Sequence, residues 1–484
     1  METSDFSVDL GLGVPKAAYI ARHSGPNLWG WSVLVEYESG RLTVYLAGSL
    51  TMLLRDHPLF DYKHLSDSVR VKVWSDTLFS VHELLEIVQF NQGARGLDMS
   101  GCVFNNMDLS SRNISELAKK YHGETGTYPI WFSRGTRRLD LQGLRANRSE
   151  FSCLNFQGVN LSDSQLNNTT WRDADLSGSI LRGASLEGSE LTDVNLRKAN
   201  LTGSVMKKVR LLARSGQSIL HEAVVYKSNM VNATFYDVSL QGALGFAEAD
   251  LRGVAFWGSD LSGISFERIE PGAMSGAFFY RATLDRTAMR QEMIGEYIGE
   301  EVWAWRLIRR EPVPKEHPYF EVALVDWLQR ASEGYRSLKA NFTSLGRGED
   351  ASWAHFRQRA TRDRRDWIVL RESHDWTLLP RLVGSIILWA TTGYGERPKN
   401  TIASAVGAIV AFGLIYWGVS SSAAKPFSFW NAMLYSGAAF FTVGLSGLES
   451  SLVLIQWITL FESALGVTLF GLYLWTLGNR SGRF

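Results

Sequence analysis

The segment ADLSGSILRGASLEGSEL, residues 174 to 191, repeats a large apolar residue with a period of five. These positions are all leucine: Leu176, Leu181, Leu186 and Leu191. A period of five matches neither the 3.6 residues of a helical turn nor the two of a strand. The chain must therefore turn a corner every few residues and return each leucine to one shared interior, as stacked repeats do.

The same period extends well beyond this segment. From Leu141 to Leu211 it gives fifteen consecutive centres, of which only Ala146 is small. Two residues before the centres come small residues such as Ala174 and Ser179. Other runs share the spacing after shifts of register: Met99, Phe104, Leu109 and Ile114, then residues 225–240 and 246–266. A run of this length is typical of a repeat architecture.

This pattern closely resembles the pentapeptide-repeat family. The resemblance implies a right-handed quadrilateral β-helix over about residues 97–284. In that fold the central Leu or Phe and the preceding small residue point inward, and each coil of four repeats rises by about 4.8 Å. Members of the family include soluble mimics of duplex DNA, which need an acidic face. From Leu139 to Leu211 there are eight acids and nine bases, so we expect neither mimicry nor a nucleic-acid partner.

Two further regions flank the repeats. Residues 1–96 contain alternating apolar runs and one helical stretch, Val81 to Phe90, which together predict a small α+β unit. Residues 285–390 predict a helical connector with a proline-marked break at 312–318 and an interfacial helix over 375–390. An arginine cluster in it suits either an anionic lipid leaflet or plain solvent: Arg357, Arg359, Arg362, Arg364 and Arg365.

The C-terminal part differs sharply in composition. The 484-residue chain has a formal net charge of +1, yet from Thr401 to Leu477 the only ionisable groups besides tyrosines are Lys425, Glu449 and Glu462. Two apolar runs, 401–419 and 452–477, are long enough to cross a hydrocarbon core of about 30 Å. We therefore expect residues 391–484 to form a membrane domain in contact with lipid.

The charges around these runs predict an orientation. Basic residues lie at their outer ends: Arg397, Lys399, Arg480 and Arg483. By the positive-inside rule both termini then lie in the cytoplasm. The first residues lack the apolar stretch of a secretory signal, and only Cys102 and Cys153 occur, which suits a reducing compartment. We expect a multi-pass protein of the cell's inner membrane.

Between the two runs, residues 427–441 are too short to span and suit a re-entrant half-helix, which ends at a loop over residues 442–447. This arrangement resembles the potassium-channel superfamily in its two-helix form. Thr442, Val443 and Gly444 match the start of the family's filter, and Gly466, twenty-two residues later, matches its hinge glycine. The pore-helix pattern matches at four positions: Ala432, Leu434, Tyr435 and Ser436. The resemblance implies a homotetramer whose filter carbonyls replace the water around a passing cation.

The loop departs from the family pattern after its first three residues. It continues Leu445-Ser446-Gly447 where the family has Tyr-Gly-Asp. Ser446 reaches the required backbone angles less readily than glycine, and Leu445 lacks the tyrosine hydroxyl. We expect the inner ion sites at Thr442 and Val443 to persist and the selectivity for potassium over sodium to be weakened. Gly447 lies one residue after the position of the family's second glycine and would partly restore the filter's backbone geometry.

Five further residues are candidates for the conduction path. Val467, Phe470 and Leu474 follow the hinge glycine in helical phase and would line the inner cavity and gate, or simply pack between helices. Glu449 would form a ring of carboxylates at the outer mouth, or be an isolated surface acid. Glu462 lies at membrane depth, where it would add negative potential near the cavity or serve as a protonated structural group.

A second segment, residues 391–396 (Thr-Thr-Gly-Tyr-Gly-Glu), looks more like the family filter than residues 442–447 do. The apolar run before it, 382–390, has only nine residues and is too short to span. A filter needs a spanning helix on each side. We therefore expect residues 393–398 to form a turn that leads into the first spanning helix.

The sequence thus favours a tetrameric channel for monovalent cations, potassium first and sodium second, with a cytoplasmic repeat body. The alternative is a membrane-anchored β-helix scaffold that conducts nothing. We expect no enzyme, cofactor or metal centre apart from the permeating ions, because the nine histidines show no ligand spacing and no catalytic motif occurs. The sequence leaves open whether a cytoplasmic ligand or protein partner binds the body.

Overall fold

The computed structural model describes eleven stretches of the chain: residues 15–25, 28–37, 42–47, 70–74, 80–91, 93–95, 97–213, 220–311, 322–420, 427–443 and 453–481. They belong to two compact units, Met1–Val302 and Trp303–Phe484. The division between the units falls inside the segment that the sequence predicts as a connector. Each unit is described by itself.

The first unit begins with a four-stranded sheet in the order β3-β2-β1-β4. Its strands are β1 (Pro15–Gly25), β2 (Leu28–Tyr37), β3 (Leu42–Ala47) and β4 (Arg70–Trp74). Strand β1 pairs antiparallel with β2 and parallel with β4. Helix α1 (Val81–Phe90) coincides with the helix predicted there, and a capping box between Ser80 and Glu83 fixes its start.

The five-residue repeats fold as a β-solenoid. Seven short strands stack in parallel: β5 (Val103–Asn105), β8 (Glu150–Ser152), β9 (Thr170–Arg172), β10 (Glu190–Thr192), β11 (Arg210–Leu212), β12 (Thr234–Tyr236) and β13 (Ala255–Trp257). The repeat centres Phe151, Trp171, Leu191 and Leu211 lie opposite one another in this sheet. Successive centres in this register are twenty residues apart, so one coil takes four repeats of five.

Three further ladders of single parallel bridges accompany the sheet: Arg145–Gln165–Ser185, Asn155–Asp175–Asn195 and Asn160–Ile180–Asn200. Between ladders the chain turns at the residue two positions after each centre. Gly178 and Gly183 stand there with φ of +63° and +68°. Glycine adopts such angles at little cost, which explains its frequency at this place in the repeat.

The repeat centres fill the interior of the solenoid. The four leucines of residues 174–191 are at most 1% exposed. Aromatic rings stack from coil to coil, with Phe104 at 5.0 Å from Phe151 and Phe151 at 4.0 Å from Trp171, measured between ring centres. The apolar core is therefore continuous along the stack.

Ile114 fits the five-residue period by spacing alone. It lies in helix α2 (Ser111–Thr125) and is buried on one face of that helix. Together with the hairpin of β6 (Phe132–Ser133) and β7 (Arg138–Leu139), α2 forms an insertion between β5 and β8. The break in the repeat predicted around residues 121–138 thus begins earlier, at Ser111.

Two short helices follow the solenoid, α3 (Gln291–Ile294) and α4 (Gly299–Ile308). The second unit contains a hairpin of α5 (Leu324–Ser344) and α6 (Gly348–Ser373), in which Tyr335 packs edge-on against Trp353. Next comes α7 (Leu379–Thr392), in the region predicted as an interfacial helix.

In the described part of the chain after α7 there are three helices: α8 (Pro398–Ser420), α9 (Phe429–Phe440) and α10 (Val453–Ser481). By length and composition alone, α8 and the Val453–Gly478 part of α10 could cross a membrane. The sequence predicts spans over 401–419 and 452–477, so α8 begins three residues earlier than predicted.

Two leucines of one stretch of the solenoid allow a matched test of the core. Leu240 is fully buried, whereas Leu244 is 54% exposed. We expect Leu240→Ala to lower the free energy of unfolding by about 2–5 kcal/mol, because it leaves a cavity. The control Leu244→Ala should change it by less than about 0.5 kcal/mol. Urea unfolding followed by circular dichroism measures both, and equal losses would contradict an interior formed by the repeat centres.

Candidate functional site

Helix α9 is held between the two long apolar helices. Its Tyr435 ring packs edge-on against Tyr416 of α8, with ring centres 5.0 Å apart. The hydroxyls of both tyrosines lie 3.2 Å from Thr459 Oγ1 of α10. Tyr416 also packs with Ala432 and Ile455 in a buried cluster. All three helices therefore contribute to one contact region around α9.

The C-terminal end of α9 has a defined cap at the start of the predicted filter. The Thr442 N–H donates to the Ala439 carbonyl at 3.1 Å, and the Val443 N–H donates to the Ala438 carbonyl at 2.8 Å. Thr442 has a φ of +57°. Together these features form a Schellman motif, in which the left-handed residue is usually glycine. A β-branched residue there costs of order 1–3 kcal/mol, and strain of this kind often marks a functional position.

Helix α10 supports this cap directly. The Ser463 hydroxyl donates to the Ala439 carbonyl at 2.8 Å. A Cβ atom added at Gly466 would overlap the carbonyl oxygen of Phe440. The backbone of α10 thus approaches the last turn of α9 as closely as sterics permit, and only glycine fits at this crossing.

A cavity of about 520 Å³ borders this crossing, since Phe440 and Gly466 both line it, and it brings several predicted residues together. Thr442, Gly466, Val467 and Phe470 all line it. The rest of its wall comes from α8, the end of α9 and α10, and is almost entirely apolar: Thr401, Ile402, Ala405, Val406, Ile409, Phe440, Phe441, Leu469 and Tyr473. Leu474 is not part of the lining, and its side chain is largely exposed.

Glu462 is fully buried on α10. Its Oε1 atom lies 2.5 Å from Ser436 Oγ of α9. The Ser436 hydroxyl also lies 2.7 Å from the Ile409 carbonyl of α8. Glu462 therefore connects three helices through a single serine and does not line the cavity.

The remaining predicted filter residues lie outside the described part of the chain. These are Gly444, Leu445, Ser446 and Gly447, together with Glu449. Of the predicted ion sites, the structure describes Thr442 and Val443 only. Their roles in ion binding stay predictions.

The segment that most resembles a filter, residues 391–396, serves as a connection between helices. Gly393 ends α7 with a φ of +56°. The Tyr394 hydroxyl donates to the Asp363 carboxylate of α6 at 2.6 Å. Glu396 bonds to two further α6 residues, His355 at 2.6 Å and Ser352. The predicted turn is therefore fastened to α6.

Burial, together with the neighbouring Asp363 carboxylate, raises the pKa of the Tyr394 phenol above its ordinary value. The phenol thus stays neutral and keeps its proton for Asp363 at physiological pH. Sequence reasoning missed Ser352, His355 and Asp363 as partners of this turn. No local signal marks them, since they look like ordinary polar residues of a charged helix.

The arginine cluster of α6, for which the sequence leaves open a lipid leaflet or plain solvent, is partly engaged within the protein. The Arg364 guanidinium lies 4.0 Å from the ring centre of Trp305. Arg365 bonds to Asp366, which also pairs with Arg381 of α7 at 2.8 Å. These two arginines therefore have partners inside the unit.

The long helices α8 and α10 expose apolar surface along most of their length. On α8 one stripe at helical spacing is 46–56% exposed: Ile402, Val406, Val410 and Leu414. On α10 the exposed apolar side chains include Trp457, Leu460, Phe461, Val467 and Phe470. A continuous row of exposed apolar side chains is unusual on soluble monomers and indicates contact with a membrane or with another protein. Among the described residues, no group of three or more His, Cys, Asp or Glu side chains is placed to hold a metal ion.

Comparison with known proteins supports the repeats. Residues 172–207 match the family described as pentapeptide repeats, in eight copies. The chain therefore carries pentapeptide repeats, in agreement with the parallel ladders. No curated protein matches the sequence.

Several solved structures share a local similarity. A pentapeptide-repeat protein from the thylakoid lumen of Arabidopsis thaliana is 21% identical, with 24% of this chain and 62% of that chain covered and a TM-score of 0.16. This chain therefore spans less than two thirds of that structure.

A second structure is HetL, a pentapeptide-repeat protein involved in heterocyst differentiation regulation in the cyanobacterium Nostoc sp. strain PCC 7120. It is 17% identical, the match covers 45% of this chain and 97% of HetL, and the TM-score is 0.16. QnrB1, a plasmid-mediated fluoroquinolone resistance protein, is 15% identical. The match covers 46% of this chain and 92% of QnrB1, and the TM-score is 0.19. At such scores these likenesses carry no argument about function.

The crossing of α9 and α10 can be tested with two glycines of one helix. Gly466→Ala should destabilise the unit by about 1–3 kcal/mol, because its methyl group overlaps the Phe440 carbonyl. Gly471→Ala meets open space and should be neutral or stabilise α10 by up to about 1 kcal/mol. Thermal unfolding of the detergent-purified protein distinguishes them. Equal midpoints for the two variants would exclude the close contact.

The bond between Tyr394 and Asp363 gives a second test. Tyr394→Phe should cost about 1 kcal/mol, whereas Tyr236→Phe, at an exposed tyrosine, should change stability by less than about 0.5 kcal/mol. Because folding raises the pKa of Tyr394, its contribution is complete below about pH 10 and declines at more alkaline pH. Chemical unfolding at neutral and alkaline pH measures both effects, and a Tyr394→Phe cost that grows with pH would contradict this sign.

Proposed function

We propose that this chain is the subunit of a tetrameric cation channel. The observation that carries the proposal is the placement of α9: a short helix between two apolar helices, which ends next to Thr442 in the wall of an apolar cavity. Backbone that leaves helical structure at membrane depth is tolerated where protein or a water-filled cavity surrounds it. Such backbone offers carbonyl oxygens that can replace the water around a cation.

One subunit supplies only part of such a pore. Val467, Phe470 and Leu474 are largely exposed in the single chain, and in a homotetramer they would turn toward the other copies and the axis. There they would form the gate and inner cavity, with Gly466 as hinge. The apolar stripe of α8 would face lipid, and the protein would lie in the inner membrane with both termini in the cytoplasm.

The predicted filter, Thr442 to Gly447, would pass potassium with weakened selectivity over sodium, because Leu445-Ser446-Gly447 replaces the usual Tyr-Gly-Asp. Four copies of Glu449 would attract cations to the outer mouth. No enzymatic step and no cofactor enter this proposal.

The solenoid is proposed as the cytoplasmic body of the channel, covering residues 97–284, with residues 1–96 as a separate α+β unit and 285–390 as connector to the pore region of 391–484. Four ladders of backbone pairing per coil support a quadrilateral form. We propose that this body supports or regulates the pore, with right-handed coils as in the family it resembles.

Ion flux into liposomes tests the proposal. Purified protein should carry potassium, and Thr442→Ala or Gly444→Ala should abolish the flux, since both residues belong to the proposed filter. Leu244→Ala, on the exposed surface of the solenoid, should leave it intact. Flux that is unchanged in both filter variants would argue against the channel, and a monomer without any flux would favour the non-conducting scaffold.

A further inference from the structure

The contact among Ile409, Ser436 and Glu462 involves three oxygen atoms in a row. Ser436 Oγ lies between the other two, at 2.7 Å from the Ile409 carbonyl oxygen and 2.5 Å from Glu462 Oε1. Both distances are those of hydrogen bonds between oxygen atoms. The serine and the glutamate side chains are both fully buried.

Two hydrogen bonds among three oxygens require two hydrogen atoms. A carbonyl oxygen has none, and a serine hydroxyl has only one. If Ser436 gives its hydrogen to the Ile409 carbonyl, the second hydrogen must come from the Glu462 carboxyl. An ionised Glu462 would leave one of the two contacts without a hydrogen.

Among the described residues between Thr401 and Leu477 there is no basic side chain to balance an ionised carboxylate. Between Thr401 and Leu477 the only basic residue in the sequence is Lys425, which lies outside the described residues. The titratable group in contact with Glu462 is Tyr416 of α8. The hydroxyls of Tyr416 and of Tyr435 on α9 both lie 3.2 Å from Thr459 Oγ1. An unpaired buried carboxylate would be costly, whereas a carboxylic acid is neutral and can donate.

We propose that Glu462 is a positioning residue whose carboxyl group is protonated and donates a hydrogen bond to Ser436 Oγ. The Ser436 hydroxyl in turn donates a hydrogen bond to the Ile409 carbonyl. This relay ties α10, α9 and α8 together within two turns of Thr442. Glu462 acts on the ions only through α9, because its carboxyl does not line the cavity. The inference rests on the proposed channel function for its effect on flux, but not for the proton itself.

Infrared difference spectroscopy tests the proton independently of conduction. At neutral pH the purified protein should show the C=O stretch of a protonated carboxylic acid, and the band should be lost in Glu462→Gln, whose amide keeps the shape and a donor. A spectrum with only the carboxylate stretch of Glu462 would overturn the proposal.

Flux and stability test the positioning role. Glu462→Ala should lose potassium flux and lower the thermal midpoint, and the conservative Glu462→Gln should restore both, because its amide N–H replaces the carboxyl proton. Ser436→Ala should resemble Glu462→Ala. If the unmodified protein conducts nothing, the proposed channel function is refuted. The infrared band and the difference in thermal midpoint between Glu462→Ala and Glu462→Gln still test the hydrogen bonds through Ser436. Equal midpoints for Ala and Gln would overturn the relay.

Discussion

A helix that ends among apolar side chains must satisfy its last backbone carbonyls and the N–H groups that follow without help from water. Helix α9 meets this constraint with its own Schellman bonds and with Ser463 of α10, which donates to the Ala439 carbonyl. Gly466 permits the approach that makes this contact possible. These few contacts fix the positions of Thr442 and Val443 relative to α10.

The solenoid satisfies its backbone under the same constraint by different means. Neighbouring coils exchange backbone hydrogen bonds in both directions. For example, the Leu176 N–H donates to the Asn195 carbonyl, and the Asn195 N–H donates back to the Ala174 carbonyl. Left-handed residues such as Gly178 turn the chain between ladders. Regular pairing along the stack leaves the interior free for leucine and phenylalanine, which explains why the period is so strict.

The spacing of apolar residues and the hydropathy of the sequence predicted those elements in which equivalent side chains meet the same surroundings along the whole element. The solenoid and the apolar helices belong to this class, and helical phase placed Val467 and Phe470 with Gly466 around one cavity. Spacing misled at Ile114, because a buried helical position can coincide with a period of five. The partners of Glu396 and Ala439 could not be predicted, because they depend on how helices cross: His355 and Ser463 lie 41 and 24 residues away in the chain.

The two filter-like segments show why letters alone do not define a pore. In residues 391–396 the tyrosine and the glutamate are already bonded to α6, through Asp363 and His355. Their helix, α7, has 14 residues and is too short to span. Thr442, by contrast, follows a half-helix flanked by two helices of sufficient length, and its strained backbone opens onto a shared cavity. Among the described residues the two segments therefore differ in their surroundings: Thr442 at the end of α9 lines the cavity, whereas the turn after α7 is bonded to α6.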